Sequence, residues 1–267
     1  MSRLILCSDD FAYSPAISAA IVLLAQADKI NAISCMAVMP GWVEDSRLLA
    51  EVPAHVQIGL HLTLTEEMPR TAMPRFAPAG RMPAIDPLAR VAGRWGVPLD
   101  EVAMEISAQF DAFFAAMRLP PDFVDGHQHV HALPGIRDLV LAETAARAPN
   151  AWVRDCTDRP LAILRRPFAG KAIGSAWHSR GLRKAAAALG LRTNRGFAGH
   201  YDFRGDYAAL FPRFLRRAGP MHLVMCHPGA GEGAGDSIAA ARVVEAKALH
   251  RLPIADMAAA EGLAFPA

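Results

Sequence analysis

The chain has 267 residues, 52% of them hydrophobic and 20% charged, with a formal net charge of +2. That is enough apolar material for a large core, and it argues against a disordered chain. So small a net charge argues against a strongly basic nucleic-acid surface, and no apolar run is long enough to cross a bilayer.

The arginines are spread out, with one denser run from Arg154 to Arg195 that reads as solvated surface. The four cysteines, Cys7, Cys35, Cys156 and Cys226, form no CxxC pair. Small buried hydrophobes are the better reading for them than disulfides or zinc ligands. The first residues enter a strand-like run at once and reach Asp9 too early for a secretory leader, so a reduced cytoplasm is expected.

In chain order, residues 3–8 form a short apolar run that reads as a buried strand and stops at Asp9-Asp10. Ser14 and Pro15 have the chemistry of an N-cap and first helical residue. Ile17, Ile21 and Leu24 mark the helix face. Residues 33–38 read as a second strand, 42–50 as a short helix and 56–62 as a third strand. Residues 66–87 are proline-rich without periodicity, a long loop of the kind that often forms a lid or binding loop. Asp100 is placed to cap a helix whose Val102, Ile106, Phe110, Phe113 and Met117 share a side.

Pro120-Pro121 ends that helix, and a strand starts at Phe123. A helix from Pro134 to about Arg147 follows, then a short strand at 151–154. Residues 179–189 and 206–217 read as helices, and 221–226 as a strand. A glycine-rich loop at 229–235 precedes a last long helix capped by Ser237. Alternating strands and helices without a break in composition predict an α/β chain with a parallel sheet. The expectation is one domain over residues 1–267, with an irregular (β/α) barrel favoured over an open sheet.

Such folds gather functional residues where strands end. The polar residues there are Asp9 and Asp10, His61, His127, Arg154 and His227. The stretch Phe123-Val-Asp-Gly-His-Gln-His-Val-His131 adds His129 and His131, and Asp125, His127, His129 and His131 share parity. They would point one way if the strand persisted. Imidazoles with a carboxylate favour metal binding over a solvated edge strand.

Asp9-Asp10 reads either as a turn or as a divided pair, one ligating a cation and the other taking a proton. Both can serve only if the backbone bends. His61 interrupts a parallel strand that should be wholly apolar. His227, locked by Pro228, suits a general acid. Arg154-Asp155 reads either as a surface pair or as a cation that holds the catalytic carboxylate ionised.

These residues carry a resemblance. Cys7-Ser-Asp-Asp-Phe11 with Ser14-Pro15, Gly59-Leu-His-Leu-Thr-Leu-Thr65, Val124-Asp-Gly-His-Gln-His-Val-His131 and Met225-Cys-His-Pro-Gly229 resemble, in order, the motifs of the YdjC-like carbohydrate deacetylases. The resemblance implies a distorted barrel akin to the polysaccharide deacetylase (NodB-like) barrel. It implies one divalent metal ion held by Asp10, His61 and His127, with Asp9 as general base and His227 as general acid. Where the family usually has glycine after the phenylalanine, this chain has Ala12.

The expected activity is metal-dependent hydrolysis of the acetamide of an N-acetylated amino sugar, oligosaccharide or glycolipid headgroup. Two alternatives remain: hydrolysis of another amide or ester, and non-catalytic metal or sugar binding on the same fold. Oxygen and nitrogen ligands suit zinc and also admit magnesium, manganese or cobalt. His129, His131 and Tyr201 are the candidate substrate contacts, and Trp95 and the 66–87 loop are candidates for stacking or gating. A homodimer is the expected association.

Overall fold

The computed structural model describes residues 2–94, 96–231 and 235–266. Among them nine strands pair in one curled sheet. They are β1 (Ser2–Phe11), β2 (Ala32–Cys35), β3 (Gln57–Leu62), β4 (Phe123–Gly126), β5 (Trp152–Val153), β6 (Arg192–Thr193), β7 (Phe197–Ala198), β8 (Met221–Cys226) and β9 (Leu263–Ala264). The order is β6-β5-β4-β3-β2-β1-β8-β7, with β9 also on β1. Every ladder is parallel. This is the irregular (β/α) barrel that the alternation predicts, curled as a half-barrel.

The helices are α1 (Pro15–Gln26), α2 (Trp42–Asp45), α3 (Ile85–Ala92), α4 (Leu99–Met117), α5 (Ile136–Arg147), α6 (Pro160–Arg165), α7 (Ala169–His178), α8 (Leu182–Ala188), α9 (Tyr207–Leu215), α10 (Ala239–Arg251) and α11 (Ile254–Ala260). Leu4, Leu6, Ile33, Leu60 and Val224 face them and join Ile17, Ile21, Ile106 and Phe110 in the main core. None of the described helices is long and apolar enough to cross a membrane.

The opposite, concave face has its own apolar floor. Ile5, Cys7, Ala32, Phe123, Trp152, Leu223 and Met225 pack there, with the Phe123 and Trp152 rings stacked at 4.5 Å. Gly59 makes room for them, since a Cβ there would lie 2.4 Å from the Phe123 ring. Strand alternation then puts Asp9, Ser34, His61 and Asp125 on the same concave face, one step closer to the carboxyl edge.

Several elements differ from the sequence reading. The second strand stops at Cys35, and the expected 42–50 helix divides into α2 and a 3₁₀ turn, Ser46–Glu51. Helix α3 starts inside the expected 66–87 loop. Asp100 does not cap α4; Pro98 holds that position, and Asp100 pairs with Arg75. Ser237 does not cap α10 either; Asp236 accepts from the Ile238 N–H instead. Ser14 and Pro15 do open α1 as expected.

Candidate metal and catalytic site

The site begins with a bend. The β1 ladder loses register between Ser8 and Phe11, and Asp10 takes a φ of 65°. That bend lets two neighbouring aspartates reach the same region, the condition the sequence imposed. Ala12, where the resembling family usually has glycine, sits at φ 73°. Its N–H donates to Ser18 Oγ at 2.9 Å, and that hydroxyl donates to Asp45 at 2.7 Å. Hydrogen bonds thus hold an alanine where glycine is unstrained.

Asp10, His61 and His127 converge. Asp10 Oδ1 lies 2.9 Å from His127 Nδ1 and 3.4 Å from His61 Nε2. One ligand atom from each residue falls within 4.8 Å of the others. The atoms turned away from that point are braced. His61 Nδ1 meets Asp125 Oδ1 at 2.6 Å, because His61 and Asp125 are partners across the β3–β4 ladder. Ser34 donates to the same oxygen at 2.5 Å. Arg242 donates to Asp10 Oδ2 at 2.8 Å. A histidine whose far nitrogen is held by a carboxylate is the usual support for a metal ligand.

Charge explains the protonation of this nest. Burial lowers the His61 pKa, but Asp125 and Asp10 overcome it and lift the imidazole to about 10. Burial raises Asp125, yet Arg154 and His61 pull it down to about 2. Asp10 is likewise pushed up by burial and held well below the usual range by Arg242 and His127. A proton and a cation therefore compete for one carboxylate–imidazole group, and the donor set fits a divalent metal.

Asp9 belongs to a second group. Arg154 grips it with two bonds, Nη1 to Oδ2 at 2.7 Å and Nη2 to Oδ1 at 2.5 Å. The same guanidinium pairs with Asp125 and donates to Cys7 Sγ at 3.2 Å. Cys7, Asp9 and Asp125 are close enough to suggest a second cation site, but Arg154 already supplies the positive charge among them. Arg154 is fully buried and pairs with Asp9 rather than Asp155, whose partner is Arg183.

On the other side, His227 follows β8 and brings Nε2 to 3.9 Å from Asp9 Oδ2. Burial pushes its imidazole down to about 4, against the pull of Asp10 and Asp9. Its backbone N–H donates to Glu245 Oε2 at 2.6 Å, and Tyr201 donates its hydroxyl to Glu245 Oε1 at 2.5 Å. Burial raises Glu245 to about 7, and these bonds oppose the rise.

A family model described as YdjC-like protein matches residues 3–259. The chain belongs to the YdjC-like family. It is 40% identical over 98 residues to a chitooligosaccharide deacetylase of Yersinia pestis (strain Pestoides F), covering 36% of this chain and 38% of that one. It is 31% identical over 145 residues to a chitooligosaccharide deacetylase of Proteus mirabilis (strain HI4320), covering 51% and 53%. The matched part is therefore about half or less of those relatives' length.

A crystal structure from Enterococcus faecalis V583, of a protein provisionally named for cellobiose-phosphate cleavage, aligns with a TM-score of 0.74. It covers 99% of this chain and 96% of that one at 20% identity, a likeness of fold.

In this YdjC-like chain Asp9, Asp10, His61, His127, His227 and Arg242 line the floor of a cavity of about 600 Å³, with Asp125 and Arg154 buried against them. Its walls place the remaining candidates. The strand at Phe123 does not persist: β4 ends at Gly126, and Gln128 and His129 take φ of 51° and 62°. The three histidines therefore fan apart instead of sharing a face. His127 joins Asp10, and His129 lines the cavity edge-on to His200. His131 does not line it. Fully buried, it directs Nε2 to the Arg154 carbonyl at 2.9 Å, so it supports Arg154 and is not placed for substrate. Tyr201 does line the cavity, but its hydroxyl is committed to Glu245.

The proline-rich loop contributes Glu66, Glu67 and Arg81 to the cavity wall. It is fastened. Glu101 accepts from the Arg75 and Phe76 N–H groups, and Glu105 from those of Arg70 and Thr71. Trp95 lies outside the described residues.

Sequence reasoning missed Ser34, Arg242 and Glu245, and gave Asp125 no role beyond its parity. Arg242 and Glu245 lie three apart on α10 and are buried, and a buried charge needs a partner. Only their burial marks them, and burial is not written in a helix with charges all round. His200 also lines the cavity.

Proposed function

We propose that this chain is a metal-dependent hydrolase that removes the acetyl group from an N-acetylated amino sugar, free, oligomeric or lipid-linked. The observation that carries it is the placement of Asp9 and His227 beside the Asp10–His61–His127 nest on one cavity floor. A binding site alone has no use for a carboxylate and an imidazole 3.9 Å apart next to a metal-ligand set. The names of the Yersinia and Proteus relatives support the substrate class.

In this reading Asp10, His61 and His127 hold one divalent ion, zinc or magnesium among the candidates. The ion would supply Lewis-acid activation of the water and the acetyl carbonyl. Asp9, aimed by the two-pronged Arg154 contact, takes the water proton. His227 is neutral near pH 7, because burial holds it at about 4. It therefore becomes an acid only by receiving a proton, and Asp9 at 3.9 Å is placed to pass it. His227 then gives that proton to the departing nitrogen, and acetate and a free amine result. Glu245 holds the His227 backbone and Arg154 holds Asp9, so neither catalytic group has to be ordered at the moment of reaction.

The test is acetate release from a panel of N-acetylated sugars, oligosaccharides and glycolipids, with chelator and then with each divalent metal restored. Acetate lost with chelator and regained with a metal is expected. Metal-independent release, or tight metal binding with no acetate from any substrate, would overturn the reading.

A further inference from the structure

The flank of the cavity carries a surface that catalysis does not use. Residues 159–201 contain nine Lys or Arg and no Asp or Glu; Arg166 and Arg183 pair with Asp158 and Asp155, so seven are left outside those ion pairs. The chain as a whole is only +2, so the rest of it is net negative by seven. The start of this basic stretch is α6 and α7, which pack against each other. Helix α7 has no buried residue. Leu161, Leu164, Ile173 and Trp177 stand 62%, 63%, 50% and 64% exposed, and Phe168 is also exposed. They are spaced three apart on α6 and four apart on α7, so each helix turns an apolar side outward. Single exposed hydrophobes need no explanation, but five within 17 residues do.

We infer that the α6–α7 face seats on an anionic membrane surface, with Leu161, Leu164, Phe168, Ile173 and Trp177 in the interface and the surrounding cations on headgroups. Helices with aliphatic and tryptophan side chains beside arginines and lysines bind lipid in this way. Charge decides between occupants. A second copy docked through the same face would set two strongly positive surfaces together. A nucleic acid would match the charge but offer the leucines and isoleucine nothing apolar.

Helix α7 is also the wall of the cavity: Lys171 lines it, and Ser175 Oγ lies 2.6 Å from His200 Nε2. Membrane seating would put the cavity beside the headgroup layer, suited to a sugar carried on a lipid. That extension rests on the deacetylase reading, whereas the seating does not.

The experiment is co-sedimentation of the full chain with phosphatidylcholine vesicles, with and without about 30 mol % phosphatidylglycerol. Binding only to the anionic vesicles, weakened by salt, is expected. Ile173→Glu with Trp177→Glu should weaken it about tenfold or more, and Arg165→Gln with Arg180→Gln about 30-fold, at about 1 kcal/mol for each of the two cations. Unchanged thermal melting would confirm that the variants fold. No binding at low salt would overturn the inference. So would vesicle binding indifferent to both double variants, a dimer that Trp177→Glu splits, or preferential capture by single-stranded DNA. Because no turnover is measured, failure here would leave the deacetylase reading intact.

Discussion

The cavity floor and the α6–α7 flank handle charge in opposite ways. On the floor Asp9, Asp10, Asp125, Arg154 and Arg242 are all buried, and each touches an opposite charge. On the flank Arg165, Arg180 and Lys184 are exposed, and none of the ion pairs among the described residues includes them. The floor is a mutually dependent set, so removing one member strands another in a site where an unpaired charge is costly. The flank is a set of independent charges in water, where each contributes little to folding. Stability should therefore concentrate at the floor, and the flank should be free to change.

The largest effect expected is on turnover. Asp9→Asn should leave metal affinity near wild type and cut kcat on the order of 10²–10⁴-fold, measured by acetate release. Asp10→Ala should instead abolish metal binding in a titration. Equal turnover in Asp9→Asn would remove the distinction between the two neighbours.

Arg154→Met tests the floor as a structural unit. It strands Asp9, leaves Asp125 with only His61 and Ser34, and should cost about 3–5 kcal/mol, read as a lower urea midpoint at unchanged slope. Trp177→Glu on the flank should stay within about 0.5 kcal/mol of wild type by the same measurement. Similar losses in both would break the comparison.

The pH dependence sharpens it further. Burial holds His131 at about 4, opposed by Asp125. Burial also holds His222 at about 4, with Arg166 adding to the effect. An exposed imidazole titrates near ~6.5, so the unfolded chain binds protons that the folded chain refuses. The contribution of these two histidines should be intact above pH ~6.5 and should drain away as pH falls through 4, on the order of a few kcal/mol in total. A flat urea midpoint across that window would show that these histidines are not held neutral.

The smallest expected effect is at the β1 bend. Ala12→Gly removes a Cβ from a φ of 73° and should stabilise by about 0.5–1 kcal/mol. A loss would mean that the methyl packing of Ala12 outweighs its strain.

Much of the site was legible because strand ends are legible. The apolar runs of β1, β3, β4 and β8 each stop at or next to a polar residue, and a parallel sheet brings such ends to one rim. The turn at His127–His131 was not legible in the same way. Period-two spacing assigns those histidines to one face, but Gln128 and His129 adopt left-handed conformations that no pattern announces. Strands β6, β7 and β9 have two residues each, too few for any periodicity.

The order of elements, the parallel α/β class and the identity of Asp9, Asp10, His61, His127 and His227 as a candidate set follow from local pattern, which depends on neighbours along the chain. Their partners do not. Arg154 is 145 residues from Asp9, and Arg242 is 232 from Asp10. Which arginine neutralises which aspartate, that His131 supports Arg154 instead of facing a substrate, and that Glu245 holds the His227 backbone were decided only when folding buried these groups. Burial makes each unpaired charge costly, so the partners are set by what the curled sheet brings within reach.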